Sequence, residues 1–372
     1  MNNNISLIAK WMCSENTSSE QTKRYAQILR KGLGLSSKDY RKMLSSLRAY
    51  IDVVERKMSA KQWENIKYEA VPSRANLIYN NAFLRNDEER RREYLGKLEK
   101  GETKINAGTL FPHDIVHKYS DCGWSSRLKA KDATVEALWK ALPDMVKGCG
   151  NTIVVADGSG SMTVNVGGNS GVTALEVANA LAIYFAEHSS GDFKDKYITF
   201  SENPQLVDFS KCNSLHDKLK TALAHSECAN TNIEKVFDLI LTTAIKGHMT
   251  QEEIPQNVLI ISDQEFDSCA TSGKSNSGYS YWGRIRPDNR LFEVIKQKFT
   301  KAGYSLPRLI FWNVYSRTAT IPVKENDLGV ALVSGFSVNV CKMVMSNKLD
   351  PYECLVETLM DERYDAVEAA MK

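Results

Sequence analysis

The sequence predicts an α/β protein in two parts: an all-α helical domain over residues 1–148, then a doubly wound, mostly parallel sheet with helices on both faces over residues 149–336. Two observations carry this. Up to residue 148, apolar residues recur at three- and four-residue steps behind helix-capping residues, the period of amphipathic helices. From residue 151 the pattern becomes short apolar runs alternating with amphipathic stretches, the grammar of strand, helix, strand in a parallel sheet. A helical tail over residues 337–372 is expected to pack on the sheet domain.

In the first part, Ser36-Ser37-Lys38-Asp39 opens a helix whose face carries Tyr40, Met43, Leu44, Leu47, Ile51, Val54 and Met58, with Leu35 and Tyr40 as a hydrophobic staple. Ser59 and Gln62 form a capping box for a second start, with Met58 able to staple onto Trp63. Pro72-Ser73 begins another helix, and Asn86 with Glu89 begins one that closes near Gly101. The last helix is expected from about Asp132 to Val146, burying Val135, Leu138, Trp139, Leu142 and Val146, with Gly148 past its end.

In the second part, Thr152–Ala156 is an apolar run of buried-strand type, followed by a helix over about 172–188. Strands are expected near 197–200 and 205–209 as a hairpin at Asn203-Pro204, then helices over 214–225 and 232–246, and a strand at Val258–Ile261. A helix over 289–302 and strands at 308–315 and 330–334 follow. Residues 267–287 form a long Ser/Gly-rich loop carrying Tyr279, Tyr281, Trp282, Arg284 and Arg286. This mixture can stack on and hydrogen-bond a ligand, and disorder is the competing reading.

Composition bounds the function classes. Of 372 residues, 42% are hydrophobic and 25% charged, with 21 Gly and 9 Pro, which excludes collagen-like and disordered chains. The 8 cysteines are scattered with no C-x-x-C pair, so they read as reduced thiols in a cytoplasmic protein rather than as a disulfide framework or zinc ribbon. No apolar run approaches the ~20 residues of a membrane span, and the N-terminus lacks the order of a signal peptide. Residues 1–150 carry 27 Lys/Arg against 18 Asp/Glu, and residues 151–372 carry 21 against 27. The basic half could therefore face an anion, and Arg90, Arg91, Arg92, Lys97, Lys100 and Lys104 are its candidate phosphate contacts. His113 and His117 stand four apart, but Asp114 replaces the Glu of H-E-x-x-H and no third ligand follows, so a structural role is expected.

The chemistry concentrates at expected strand ends, where open α/β sheets bind ligands. After the first strand comes Asp157-Gly158-Ser159-Gly160-Ser161, a carboxylate and two hydroxyls at alternate positions, all hard oxygen donors. Thr231 precedes a helix, and Ser262-Asp263 follows the fourth strand. Asp157-x-Ser159-x-Ser161, then Thr231, then Asp263 resembles the metal-ion-dependent adhesion site of von Willebrand factor A domains. The resemblance implies an A-type doubly wound fold over residues 149–336 that binds Mg²⁺ or Mn²⁺. It makes Ser159, Ser161 and Thr231 direct ligands, with Asp157 and Asp263 acting directly or through water, and leaves an open position for an acidic group of a protein partner. G-x-G-x-x-G fails at Thr163, and the serine-hydrolase elbow fails around Ser159.

The whole chain also resembles the DUF2828 and DUF7788-type proteins. Leu44-Ser45-Ser46-Leu47-Arg48, Val71-Pro72-Ser73-Arg74-Ala75, Lys104-Ile105-Asn106-Ala107-Gly108, Phe111-Pro112-His113, Ser262-Asp263-Gln264-Glu265-Phe266-Asp267 and Gly335-Phe336-Ser337 carry that likeness. A helical module followed by a metal-site domain is similar in layout to Ro autoantigen (TROVE) proteins, whose helical-repeat ring binds RNA, although about 150 residues are too few to close such a ring. The leading expectation is a non-enzymatic, Mg²⁺-dependent binding or scaffold protein. The alternatives are RNA binding through the basic half, and a metal-dependent hydrolase using Asp157 or Asp263, for which Glu265 and Asp267 are the supporting residues.

Overall fold

A computed structural model describes residues 8–120, 128–146, 150–166, 171–226, 232–264, 289–315, 323–325 and 330–335, with a few more between 352 and 360. The chain divides into two compact units, Met1–Asn106 and Ala107–Lys372. The boundary thus lies well before the expected one at residue 148.

The first unit is helical: α1 (Ile8–Trp11), α2 (Glu20–Gly32), α3 (Ser37–Tyr50), α4 (Val54–Ser59), α5 (Ser73–Asn86) and α6 (Glu88–Glu99). Ser36 caps α3 through the Asp39 N–H, as its sequence signals. The expected long helix breaks at Asp52, which adopts φ +49 while the Val53 N–H bonds back to the Arg48 carbonyl and the Asp52 N–H to that of Ala49. This is a Schellman ending, for which Asp is one of the few tolerated non-glycine residues. The same motif recurs at Lys61, with φ +56 and the Gln62 N–H bonded to the Lys57 carbonyl. Ser59 therefore ends a helix instead of starting one, and only a 3₁₀ turn, Trp63–Asn65, follows. Among the described residues, small cores form around Ala26, Tyr40 and Leu44 and around Tyr68, Phe83 and Tyr94.

The second unit opens with α7 (Pro112–Val116) and α8 (Ala133–Lys140), then alternates β1 (Thr152–Ala156), α9 (Ala174–His188), β2 (Lys196–Thr199), β3 (Leu206–Asp208), α10 (Leu215–Ala224), α11 (Ile233–Lys246), β4 (Asn257–Ser262), α12 (Asn289–Lys301), β5 (Arg308–Asn313), β6 (Val323–Glu325) and β7 (Ala331–Ser334). The seven strands run in the order β3-β2-β1-β4-β5-β7-β6. β2, β1, β4, β5 and β7 are parallel, and β3 and β6 pair antiparallel at the edges. The edge strand β6 is too short and polar for its sequence to have signalled it.

One sheet face buries Ile153, Val155, Val258, Ile260 and Phe311 beneath α11 and α12, which contribute Phe237, Ile240, Ile295 and Phe299. α9 covers β1 and β2, and its many alanines let other helices pack closely around it. The reason α8 belongs to this unit is tertiary. Buried Glu136 accepts the Leu215 N–H at 2.9 Å and the His216 N–H at 3.0 Å, capping α10 from outside, and Trp139 Nε1–H donates to Glu187 of α9 at 2.9 Å. α8 stops six residues short of its expected end because Pro143 disfavours helical backbone at Leu142. The expected tail over 337–372 lies almost wholly outside the described residues.

Candidate functional site

The carboxyl ends of β1 and β4 meet at the point where the chain, having built β2 and β3 on one side of β1, crosses to build β4 on the other. Crevices at such switch points are where open α/β sheets bind ligands. β1 and β4 are in parallel register, with Ala156 level with Ile261, so Asp157 and Ser262 emerge side by side. Asp157 is buried, at 1% exposure. One carboxylate oxygen accepts the Ser262 hydroxyl at 2.6 Å, and the other accepts the Ser159 N–H at 2.9 Å. Burial pushes the Asp157 pKa up, the charge of Asp263 adds to this, and the hydrogen bonds from Ser262 and Ser159 oppose it.

Above this anchor the loop turns through a short 3₁₀ segment, Gly160–Thr163. Ser159 Oγ and Ser161 Oγ lie 3.0 Å apart, and the Ser161 hydroxyl donates to Asp263 Oδ1 at 3.0 Å. Ser161 is exposed, whereas Ser159 and Asp263 are half-buried. Gly158 sits so close to the end of α10 that a Cβ there would lie 2.9 Å from the Ser226 Cα. The structure thus brings together Asp157, Ser159, Ser161 and Asp263, while Thr231 lies outside the described residues. Ser262, the hydroxyl that holds Asp157, is the partner that motif reading passed over, although the strand register places it there.

Hydroxyl and carboxylate oxygens at this spacing are the donor chemistry of Mg²⁺ and Mn²⁺, and rotating the two hydroxyl hydrogens outward would leave their lone pairs facing an ion. Among the described residues there is no group of three or more His, Cys, Asp or Glu that could hold a metal. His113 and His117 do not pair: His113 is buried and stacked on Phe111, and His117 Nδ1 lies 2.9 Å from Glu176.

Family comparison can now be set beside the geometry. Residues 151–370 match DUF7788, a domain of unknown function, and residues 2–152 match DUF2828, also a domain of unknown function. The chain belongs to the DUF7788 family. The whole candidate site falls in its DUF7788 portion. An uncharacterized protein of Acanthamoeba polyphaga mimivirus is 32% identical over 374 residues, covering 95% of this chain and 60% of that protein. The chain thus spans less than two thirds of that relative. The crystal structure of the Ro (RSR) protein of Deinococcus radiodurans is similar with a TM-score of 0.43 at 15% identity, over 92% of this chain and 73% of that one.

The six basic residues expected to contact phosphate do not form one face. Arg91 is a correction: it is fully buried, with its guanidinium 4.9 Å from the Tyr68 ring centroid, 5.2 Å from that of Phe83 and 5.4 Å from that of Tyr94. Successive helical residues point about 100° apart, and on α6 it is the middle arginine of the three that turns to the packed side with Tyr94. Arg90 is half-buried and donates to the Trp63 and Ile66 carbonyls and to Asp87. Arg92 pairs with Glu88 and Lys97 with Glu93, while Lys100 and Lys104 are exposed. Tyr279, Tyr281, Trp282, Arg284 and Arg286 lie outside the described residues. No helix among the described residues is long and apolar enough to cross a membrane.

Proposed function

We propose that this chain is a non-enzymatic, divalent-cation-dependent binding protein of von Willebrand A type, whose cation site accepts an acidic group of a protein partner. The observation that carries the reading is the run of Ser159 Oγ, Ser161 Oγ and Asp263 Oδ1 at successive 3.0 Å separations, above a buried carboxylate at the switch point. Ser159 and Ser161, with Thr231, would hold Mg²⁺ or Mn²⁺. When bound, the cation supplies an electrophilic coordination position for a carboxylate oxygen.

The chain's own residues prepare that position. Asp157, fixed by Ser262 and the Ser159 N–H, holds the loop in shape from below. Neutral hydroxyl ligands leave much of the ion's charge uncompensated, which favours an outside carboxylate. Asp263, bonded to Ser161, sets the negative charge at one side. RNA binding draws less support, because Arg91 is buried and Arg90, Arg92 and Lys97 are engaged with neighbours within their own unit.

The test is calorimetric titration of Mn²⁺ into the full chain, wild type beside Ser159→Ala/Ser161→Ala, with and without acetate. Saturable binding that is lost in the double variant and strengthened by acetate is expected. Absence of wild-type binding with or without acetate would overturn the reading.

A further inference from the structure

Directly behind the Asp157-Gly158 turn lies a cavity of about 10 Å³, the room of a single water molecule. Its lining mixes the apolar Ala156 and Phe200 with polar groups from Asp157, Asn179 of α9, Ser201 just past β2, and His225 and Ser226 at the end of α10. Ser201 is 1% exposed, and its hydroxyl has no hydrogen-bond partner among the described residues. A buried hydroxyl left without a partner is destabilising, so a cavity of this size with several polar groups around one is a place for ordered water, whereas wholly apolar cavities stay dry.

We infer that one ordered water fills this cavity, accepting from the Ser201 hydroxyl and donating to the Asp157 carboxylate, and that Ser201 is thereby a positioning residue for the cation site above. The second half of this inference rests on the proposed cation site. Asp157 already receives two donors, the Ser262 hydroxyl and the Ser159 N–H, and a carboxylate has room for more. A third donor from behind would fix its plane and so the conformation of the loop that presents Ser159 and Ser161. Ser201 stands 44 positions along the chain from Asp157, just past the neighbouring strand, and the Phe200 N–H bonded to the Ala156 carbonyl at 2.8 Å holds the two strand ends together.

The experiment pairs a high-resolution crystal structure of the full chain with Mn²⁺ titration of wild type, Ser201→Ala and Ser201→Val. The wild-type map is expected to show one water within hydrogen-bond distance of Ser201 Oγ and Asp157. Ser201→Val, whose methyl groups occupy the space, is expected to expel it and weaken Mn²⁺ binding by about tenfold or more, the size of effect seen when outer partners of metal sites are removed. Ser201→Ala leaves the space open and serves as the second variant should valine disturb folding; a weaker drop in affinity at an unchanged melting temperature is expected. A wild-type map without the water overturns the inference outright. A water present with Mn²⁺ affinity unchanged in both variants overturns the positioning role. Failure of wild type to bind Mn²⁺ while the water is present removes the cation reading and the positioning role, and leaves the hydrated cavity standing.

Discussion

Replacing Arg91 by methionine separates two accounts of the basic helix α6. If Arg91 contacted phosphate, the change would lower affinity for RNA and leave stability alone. The structure predicts the reverse. The Arg91 guanidinium donates to Asn76 Oδ1 at 3.2 Å and Asn80 Oδ1 at 3.3 Å, and three aromatic rings face it within 5.4 Å. Leaving two buried amide oxygens short of a donor costs about 1–3 kcal/mol each, and desolvated cation–π contacts add about 0.5–2 kcal/mol each. Against this, methionine spares the burial of a charge, which is worth several kcal/mol in the other direction. The net expectation is a loss of about 3 kcal/mol. For a cooperative unit of roughly 100 residues that lowers the melting temperature by more than about 10 °C. Differential scanning calorimetry of the full chain reads this as a downward shift of one transition, and near-ultraviolet circular dichroism follows the Tyr68, Phe83 and Tyr94 cluster. A melting temperature within about 2 °C of wild type would refute the reasoning, since a buried five-donor group cannot be removed silently.

Gly158→Ala would place a Cβ 2.9 Å from the Ser226 backbone, so one segment must move; a loss of about 1–3 kcal/mol is expected in urea denaturation, together with weaker Mn²⁺ binding. Glu136→Ala should destabilise the second unit by about 2 kcal/mol or more, because the Leu215 and His216 N–H groups lose their acceptor and the Tyr119 hydroxyl is left with the Asp132 carbonyl alone; unchanged thermal unfolding would contradict the capping role. Glu176 supplies a pH dependence. Burial opposes its ionisation, yet hydrogen bonds from His117, Ser120 and the Thr173 N–H outweigh this and hold its pKa below the ordinary 4.5. A depressed folded-state pKa contributes stability that is present above 4.5 and is lost as pH falls through the folded value. Glu176→Gln should therefore flatten the decline in stability below about pH 4.5, and denaturation midpoints that fall in parallel for both proteins would contradict it.

The strands were legible because parallel strands buried on both faces read as continuous apolar runs, as in Ile153-Val154-Val155-Ala156 and Val258-Leu259-Ile260-Ile261. Most helix starts were legible for a local reason: Ser36, Asp132, Ser214 and Asn232 each bond N–H groups two or three residues ahead. Ser59 misled because a serine three residues before glutamine has the same local chemistry whether a helix begins or ends there, and the left-handed turn at Lys61 decides between them. The arginine run misled because charge predicts exposure only until a helix must choose which face to bury.

What the sequence determined by itself is whatever depends on neighbours a few residues apart: helical and strand period, most caps, and the placing of Asp157, Ser159 and Ser161 on one turn after β1. What only the tertiary structure decided are the pairings across long separations. Asp157 is held by Ser262, 105 residues onward, and Ser161 meets Asp263, 102 residues onward. Glu136 caps a helix 79 residues away, and so draws α8 out of the helical half and into the sheet unit. The physical reason is common to all three: such groups meet only after strand order and register are set, and those follow from burying whole sheet faces, a property that no short stretch of residues carries.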